Sequence, residues 1–236
     1  MKNKFNIKIF ADGANLDEMI KQNENPIISG FTTNPTLLRK SGVKNYEEFA
    51  KEVLKHIKDK PISFEVFADD WREMKRQALK ISEWQDNVYV KIPITNTKGE
   101  SSYMLINNLA NLGVKINVTA ITTAVQVMES IIALNVVNHT PSIVSIFGGR
   151  IADTFRDPVE TMKVAVASAM HNQEILWASP RELYNLKQAE ECGVDIITMT
   201  NDLIKKLNLI GKNLDEYSLE TVKLFYDDAL KSGYTL

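Results

Sequence analysis

Eight short apolar runs rich in β-branched and aromatic residues recur along the chain at intervals of about 25–35 residues. They are Ile7–Ala11, Ile27–Thr32, Ile62–Phe67, Val88–Ile94, Lys115–Ala120, Ser142–Phe147, Glu174–Ala178 and Asp195–Met199. Helical periodicity fills the gaps: Phe49, Val53, Leu54 and Ile57 share one face, as do Leu105, Ile106, Leu109 and Leu112. Gly113 and Gly193 each stand where a helix ends and a strand begins. Strands alternating with helices over short connections imply parallel pairing and right-handed crossovers. Eight such units without a break in composition predict a closed (β/α)8 barrel in a single domain spanning residues 1–236. No Gly-rich phosphate-binding loop follows any strand, which weakens the open-sheet alternative. Beyond Met199 two further helices are expected, near Asn201–Leu207 and Leu214–Ser232, so that residues 201–236 form a C-terminal helical extension. A barrel does not require the last of these, which leaves it for the barrel end or a neighbouring subunit.

Composition narrows the partners. Lys and Arg total 28 against 30 Asp and Glu, a balance that favours neither nucleic acid nor an anionic membrane. Cys192 is the only cysteine, so an intrachain disulfide and a cysteine-based zinc site are excluded, and a reducing, cytoplasmic setting fits. The start, Met1-Lys2-Asn3-Lys4-Phe5-Asn6, lacks the apolar stretch of a signal peptide, and no segment is apolar enough to be expected to span a membrane.

Lys91 is out of place in Val88-Tyr89-Val90-Lys91-Ile92-Pro93-Ile94. A lysine is almost never buried unpaired, because taking its charge out of water costs several kcal/mol. Losing the proton relieves that cost and leaves an amine that attacks carbonyl carbon, which makes Lys91 a candidate Schiff-base lysine. The alternative is a stem laid along the strand with its ammonium in water. Chemistry on a barrel gathers at the C-terminal strand ends, and polar residues are plentiful there. Asp12, Thr32-Thr33-Asn34, Glu65, Asn117 with Thr119, Ser145, Arg150, Ser179 and Arg181 all fall at such positions. Asn117 and Thr119 share a strand face, as do Ser145 and Phe147. Thr33 and its neighbours before Pro35 also read as a helix N-cap, as do Asp69 and Asp70. Arg150 has Asp153, and Arg181 has Glu182, as a nearby salt-bridge partner. His56, His139 and His171 lie off the strand ends, so metal ligation is not expected. That also counts against a metal-dependent aldolase or isomerase. A barrel kept only for binding would have no need of such costly polar groups.

Phe10-Ala11-Asp12, Gly30-Phe31-Thr32-Thr33-Asn34-Pro35-Thr36, Val90-Lys91-Ile92-Pro93 and Asn117-Val118-Thr119, taken in order, resemble the transaldolase family, which includes the fructose-6-phosphate aldolases. The resemblance runs from about Ile7 to Leu207. It implies a metal-free, cofactor-free Schiff-base mechanism with Lys91 as the imine-forming lysine and Asp12 as the acid/base of carbon–carbon cleavage. Glu65 and Thr119 would hold the water that moves protons, and Asn34 and Asn117, with Thr33 beside them, would meet substrate hydroxyls. Ser145, Arg150 and Arg181, with Ser179 adjacent, match the family's phosphate-binding residues. Glu65 and Phe147 follow the transaldolase pattern; the aldolases carry glutamine and tyrosine there. The resemblance therefore implies transfer of a dihydroxyacetone unit between sugar phosphates, with net aldol cleavage or a specialised sugar as the alternative. It also implies a cytoplasmic homo-oligomer, pentamer or decamer, in carbohydrate metabolism of the pentose phosphate type. The chain departs from the family at Gly13-Ala14, Ile146, Gly148 and Trp177. A tryptophan there is expected to narrow the acceptor pocket.

Overall fold

The computed structural model describes residues 5–136 and 140–235. His139 and the residues before Phe5 lie outside that range. Strands β1 (Lys8–Asp12), β2 (Ile28–Thr32), β3 (Ile62–Glu65), β4 (Val88–Pro93), β5 (Ile116–Ile121), β6 (Ser142–Ile146), β7 (Gln173–Trp177) and β8 (Ile196–Thr200) pair in chain order. All pairs are parallel, and β8 returns to β1 with Lys8 opposite Ile196 and Asp12 opposite Thr200, closing the barrel. The connecting helices are α1 (Leu16–Asn23), α2 (Pro35–Lys40), α3 (Tyr46–His56), α4 (Trp71–Ser82), α5 (Tyr103–Asn111), α6 (Ala124–Ala133), α7 (Gly148–Ala152), α8 (Val159–Ser168) and α9 (Tyr184–Glu191). This is the (β/α)8 barrel that the hydrophobic pattern predicts. Parallel strands buried on both faces show as unbroken apolar runs, which is why all eight could be read.

Strand parity divides the barrel interior. Phe10, Ile143, Leu176, Ala178 and Ile196 pack into one apolar cluster, with Tyr89 and Phe147 against it. One or two steps of two further along the same faces come Asp12, Lys91, Ser145 and Thr198, all of which line a cavity. The floor is therefore oil-like and the mouth is polar. Gly30 makes this possible: a Cβ there would stand 2.5 Å from the Phe10 ring, so only glycine lets that ring fill the barrel.

Local differences from the predicted elements have identifiable causes. β3 stops at Glu65 rather than Phe67, because the Gln77 side-chain Oε1 takes the N–H groups of Phe67 and Ala68. Asp70 caps α4 as expected, but Asp69 instead accepts from the backbone and hydroxyl of Thr97. The N-cap of α2 is Asn34, not Thr33. Leu112 lies exposed at the end of α5 instead of on its buried face. Gly113 and Gly193 do adopt the left-handed conformation, φ 83° and 77°, that ends a helix.

The chain divides into two compact units, one through Ile204 and one from Lys205 onward. The boundary falls within α10 (Asn201–Lys205), which a 3-10 turn, Lys206–Leu209, continues. The second unit is built on α11 (Leu214–Ser232), which buries none of its side chains. Among the described residues, no helix is long and apolar enough to cross a membrane.

Candidate active site

A cavity of about 530 Å³ opens at the C-terminal ends of the strands. Among the candidates named above, Asp12, Asn34, Glu65, Lys91, Thr119, Ser145, Phe147, Arg150, Ser179 and Arg181 line it. Thr33 and Asn117 do not.

Lys91 is 6% exposed. Its Nζ lies 2.9 Å from Glu65 Oε2 and donates to the Thr33 carbonyl at 3.0 Å. The ammonium is therefore buried but paired with a neighbouring carboxylate. Glu65 stands opposite Lys91 in the β3–β4 register, so the pair follows directly from strand alignment. Thr33 contributes through its backbone; its hydroxyl is spent on the Ser63 carbonyl, 2.9 Å away.

Asp12 ends β1. Burial pushes its carboxyl pKa above the ordinary value, against the attraction of Lys91 and hydrogen bonds from Thr32 and Asn34. Thr32 Oγ1 donates to Asp12 Oδ1 at 2.8 Å and is itself in contact with the Thr198 hydroxyl. The Asn34 side-chain oxygen accepts from Leu37 N as the α2 cap, which turns its amide nitrogen toward Asp12. One asparagine thus starts a helix and presents a donor to the cavity.

Thr119 Oγ1 is buried with no hydrogen-bond partner, a costly arrangement for a hydroxyl that lines a cavity. The next residue, Ala120, has φ 64°, at a register break between β5 and β6. A positive φ on a β-carbon residue is strained, and such strain concentrates at functional sites. Asn117 lies one step deeper and is fully buried. It donates to Ser63 Oγ at 3.0 Å and accepts from Ser145 Oγ at 2.6 Å, so it braces two strands and fixes Ser145.

Across the mouth, Arg150 on α7 and Arg181 after β7 supply positive charge. Neither of the salt bridges open in the sequence forms as paired there: Arg181 binds Asp153 through Nε (3.1 Å to Oδ1) and Nη2. That bond holds the Asp153 carboxyl below its ordinary pKa, with Arg150 adding to the effect. Gly149 lets the two loops meet, since a Cβ there would stand 1.8 Å from the Ser179 carbonyl oxygen. Trp177 corrects an expectation. It is fully buried, lies outside the cavity lining, and packs where a Cβ on Gly148 would come within 2.6 Å of it. Leu176 and Ala178 face the cavity, so the residue between them faces the helices.

Sequence reasoning did not single out Thr198 or Thr200, and it offered Asp153 as a partner for Arg150, not for Arg181. Thr198 and Thr200 share an inward face in an otherwise apolar strand, which was a usable signal; the pairing of Asp153 with Arg181 carried none. Among the described residues, no group of three or more His, Cys, Asp and Glu side chains is arranged to hold a metal ion.

The site is thus a polar cavity at the mouth of a closed parallel barrel, with a buried lysine–carboxylate pair, a second carboxyl of raised pKa and an arginine-lined rim. Comparison with known proteins gives the family. The chain matches the transaldolase/fructose-6-phosphate aldolase family over residues 9–234, and it belongs to that family. A probable transaldolase of Methanococcus maripaludis is 34% identical over 226 residues, covering 91% of this chain and 99% of that protein. Another, from a Thermoanaerobacter species, is 33% identical over 230 residues, covering 96% and 99%. In structure the chain is similar to a mutant tryptophan synthase α-subunit from Pyrococcus furiosus, with TM-score 0.60 at 13% identity over 93% of this chain and 97% of that one. That likeness concerns the barrel alone.

Proposed function

We propose that the protein is a transaldolase that moves a dihydroxyacetone unit from a ketose phosphate, fructose 6-phosphate or sedoheptulose 7-phosphate, to an aldose phosphate, erythrose 4-phosphate or glyceraldehyde 3-phosphate. The observation that carries this reading is Lys91 Nζ, buried at the cavity and held 2.9 Å from Glu65 Oε2. Glu65 takes the ammonium proton, and the free amine attacks the ketose C2 carbonyl. The carbinolamine then loses water to give a protonated imine, with Glu65 and the Thr119 hydroxyl moving protons through a bound water. Asp12 removes the C4 hydroxyl proton, the C3–C4 bond breaks, and the aldose leaves. The electron pair of that bond passes into the imine, leaving an enamine on Lys91. A raised pKa makes Asp12 a stronger base once ionised.

The reverse steps on a new aldehyde complete the transfer. Asn34 orders the substrate hydroxyls, and Asn117, which does not line the cavity, holds the Ser145 hydroxyl in place. Ser145, Arg150, Ser179 and Arg181 bind the phosphate, for which paired guanidinium donors are well matched. Phe147 offers no hydroxyl to hold a hydrolytic water, which favours transfer over cleavage.

The reading takes the enzyme as a cytoplasmic homo-oligomer of sugar phosphate metabolism. On α11, Leu219, Val222, Tyr226 and Leu230 share one face and are all exposed, which suits subunit contacts. Borohydride with fructose 6-phosphate tests the chemistry: a reduced three-carbon adduct on Lys91 is expected, and its absence overturns the imine. Dihydroxyacetone release that is as fast without an acceptor aldose as with one would reject transfer.

A further inference from the structure

Tyr46, the first residue of α3, makes an unusual double contact. Its hydroxyl donates to the Glu65 carbonyl at 2.9 Å and accepts from the Glu65 N–H at 2.8 Å. The reason lies in how β2 ends. The β2–β3 ladder runs through Phe31 N to Pro61 O and Thr33 N to Ser63 O. By the alternation of a parallel ladder, the next rung would be Glu65 N to Thr33 O. That rung is not made. At Asn34 the chain turns into α2, and the Thr33 carbonyl accepts from Lys91 Nζ instead. Glu65 is left at the end of β3 with both backbone groups turned to a strand that has stopped, and the Tyr46 hydroxyl satisfies both. The ring is held edge-on by Phe64 and Phe67, with Trp84 tilted against it.

We propose that Tyr46 is a positioning residue for the Lys91–Glu65 pair, which it serves by standing in for the missing β2 backbone. By capping Glu65 it releases the Thr33 carbonyl to hold the lysine, and it fixes the height at which the Glu65 carboxylate meets Nζ. Its burial raises the phenol pKa, so the hydroxyl keeps the proton it donates. The proposal rests on Lys91 being the imine-forming residue, and its consequence is confined to the proton step at that amine. Substrate binding at the arginine rim lies elsewhere in the cavity and is untouched.

The test uses the full chain. Borohydride trapping with fructose 6-phosphate is timed for wild type, Tyr46→Phe, Trp84→Phe and a protein carrying 3-fluorotyrosine at position 46. Tyr46→Phe keeps the ring and removes only the hydroxyl; Trp84→Phe disturbs the same aromatic cluster without touching Glu65. The expected result is adduct formation on Lys91 slowed about tenfold or more in Tyr46→Phe, with KM for fructose 6-phosphate within about threefold of wild type. Trp84→Phe should trap at the wild-type rate even where its melting temperature falls as far. The fluorotyrosine protein, which retains a hydroxyl, should recover most of the lost rate. No trapping in wild type would overturn the imine reading and this proposal with it. Trapping in wild type with Tyr46→Phe equally fast, or slowed only as much as Trp84→Phe, would overturn the role of Tyr46 alone.

Discussion

Two corners of the barrel mouth are built on opposite principles. Around Lys91, between β2 and β4, the polar groups are buried and are tied to backbone: Thr33 by its carbonyl, Glu65 through Tyr46. Around Arg181, between β6 and β7, the charges sit half in water and are tied to one another: the side chains of Arg181 and Asp153 are 46% and 48% exposed. Burial raises the worth of a well-placed charge and the penalty for a misplaced one, so the first corner needs rigidity. The second corner can trade partners. A phosphate bound there, as proposed, would have only to displace Asp153, and exposed ion pairs of this kind are cheap to break. Under the proposed function, bond-making chemistry falls to the first corner and recognition to the second.

The largest effect should follow removal of the amine. Lys91→Ala is expected to lower kcat by roughly a thousandfold or more, as loss of a nucleophile does. It also leaves Glu65 without its cation, so a lower melting temperature should accompany the loss. Near-normal turnover in this variant would end the assignment of chemistry to that corner.

Asp12→Asn is next. Loss of a general base should cost about 10²–10⁴ in rate. Stability should move the other way. The folded-state pKa of Asp12 is raised, chiefly by burial, so the native state holds its proton where the unfolded chain has released it. Asp12 therefore lowers stability as pH rises from the unfolded value of 3.8 through the folded one. Asparagine removes that penalty while keeping an acceptor for Thr32. The variant should melt higher than wild type at neutral pH, with the difference vanishing under acid conditions where both states carry the proton. A lower melting temperature at neutral pH would contradict a burial cost that outweighs the Lys91, Thr32 and Asn34 contacts of this carboxylate.

How much of this was visible in the sequence differs between the corners. Lys91, Asp12, Glu65 and Thr119 could be picked out because each interrupts an apolar strand, where a polar side chain is conspicuous. Tyr46 could not, since an aromatic residue at a helix start looks like ordinary packing, and its role depends on where β2 happens to end. At the second corner, both arginines were visible, but Asp153 was in view only as a partner for Arg150. Asp153 on the β6 side meets Arg181 on the β7 side, and no local spacing announces that pairing. Trp177 was misjudged for a simpler reason: its neighbours Leu176 and Ala178 occupy the inward positions, and strict alternation would have turned it outward.

Arg181→Ala sharpens the comparison with a smaller effect. KM for phosphorylated ketoses should rise about 10–100-fold, the worth of one or two hydrogen bonds to a charged group. Turnover of unphosphorylated dihydroxyacetone as a donor should stay near wild type, and the KM effect should shrink at high salt, as exposed charges require. An equal loss with both donors would place Arg181 in the chemistry and erase the division between the corners.

The smallest effect on activity is expected at Trp177, and it tests whether the β6–β7 corner is shaped from outside the cavity. Gly148→Ala would drive a methyl group to 2.6 Å from the indole, an overpacking that should cost about 1–3 kcal/mol of stability. Trp177→Phe opens space on that same side and leaves the indole N–H, which has no partner here, out of the structure altogether. The double variant Gly148→Ala with Trp177→Phe should therefore be more stable than Gly148→Ala alone. Because Trp177 does not line the cavity, the ratio of turnover with erythrose 4-phosphate to that with glyceraldehyde 3-phosphate should stay the same in Trp177→Phe as in wild type. A changed ratio would mean that packing behind β7 reaches through Leu176 and Ala178 into the acceptor pocket, and that the second corner is less pliable than its exposed charges imply.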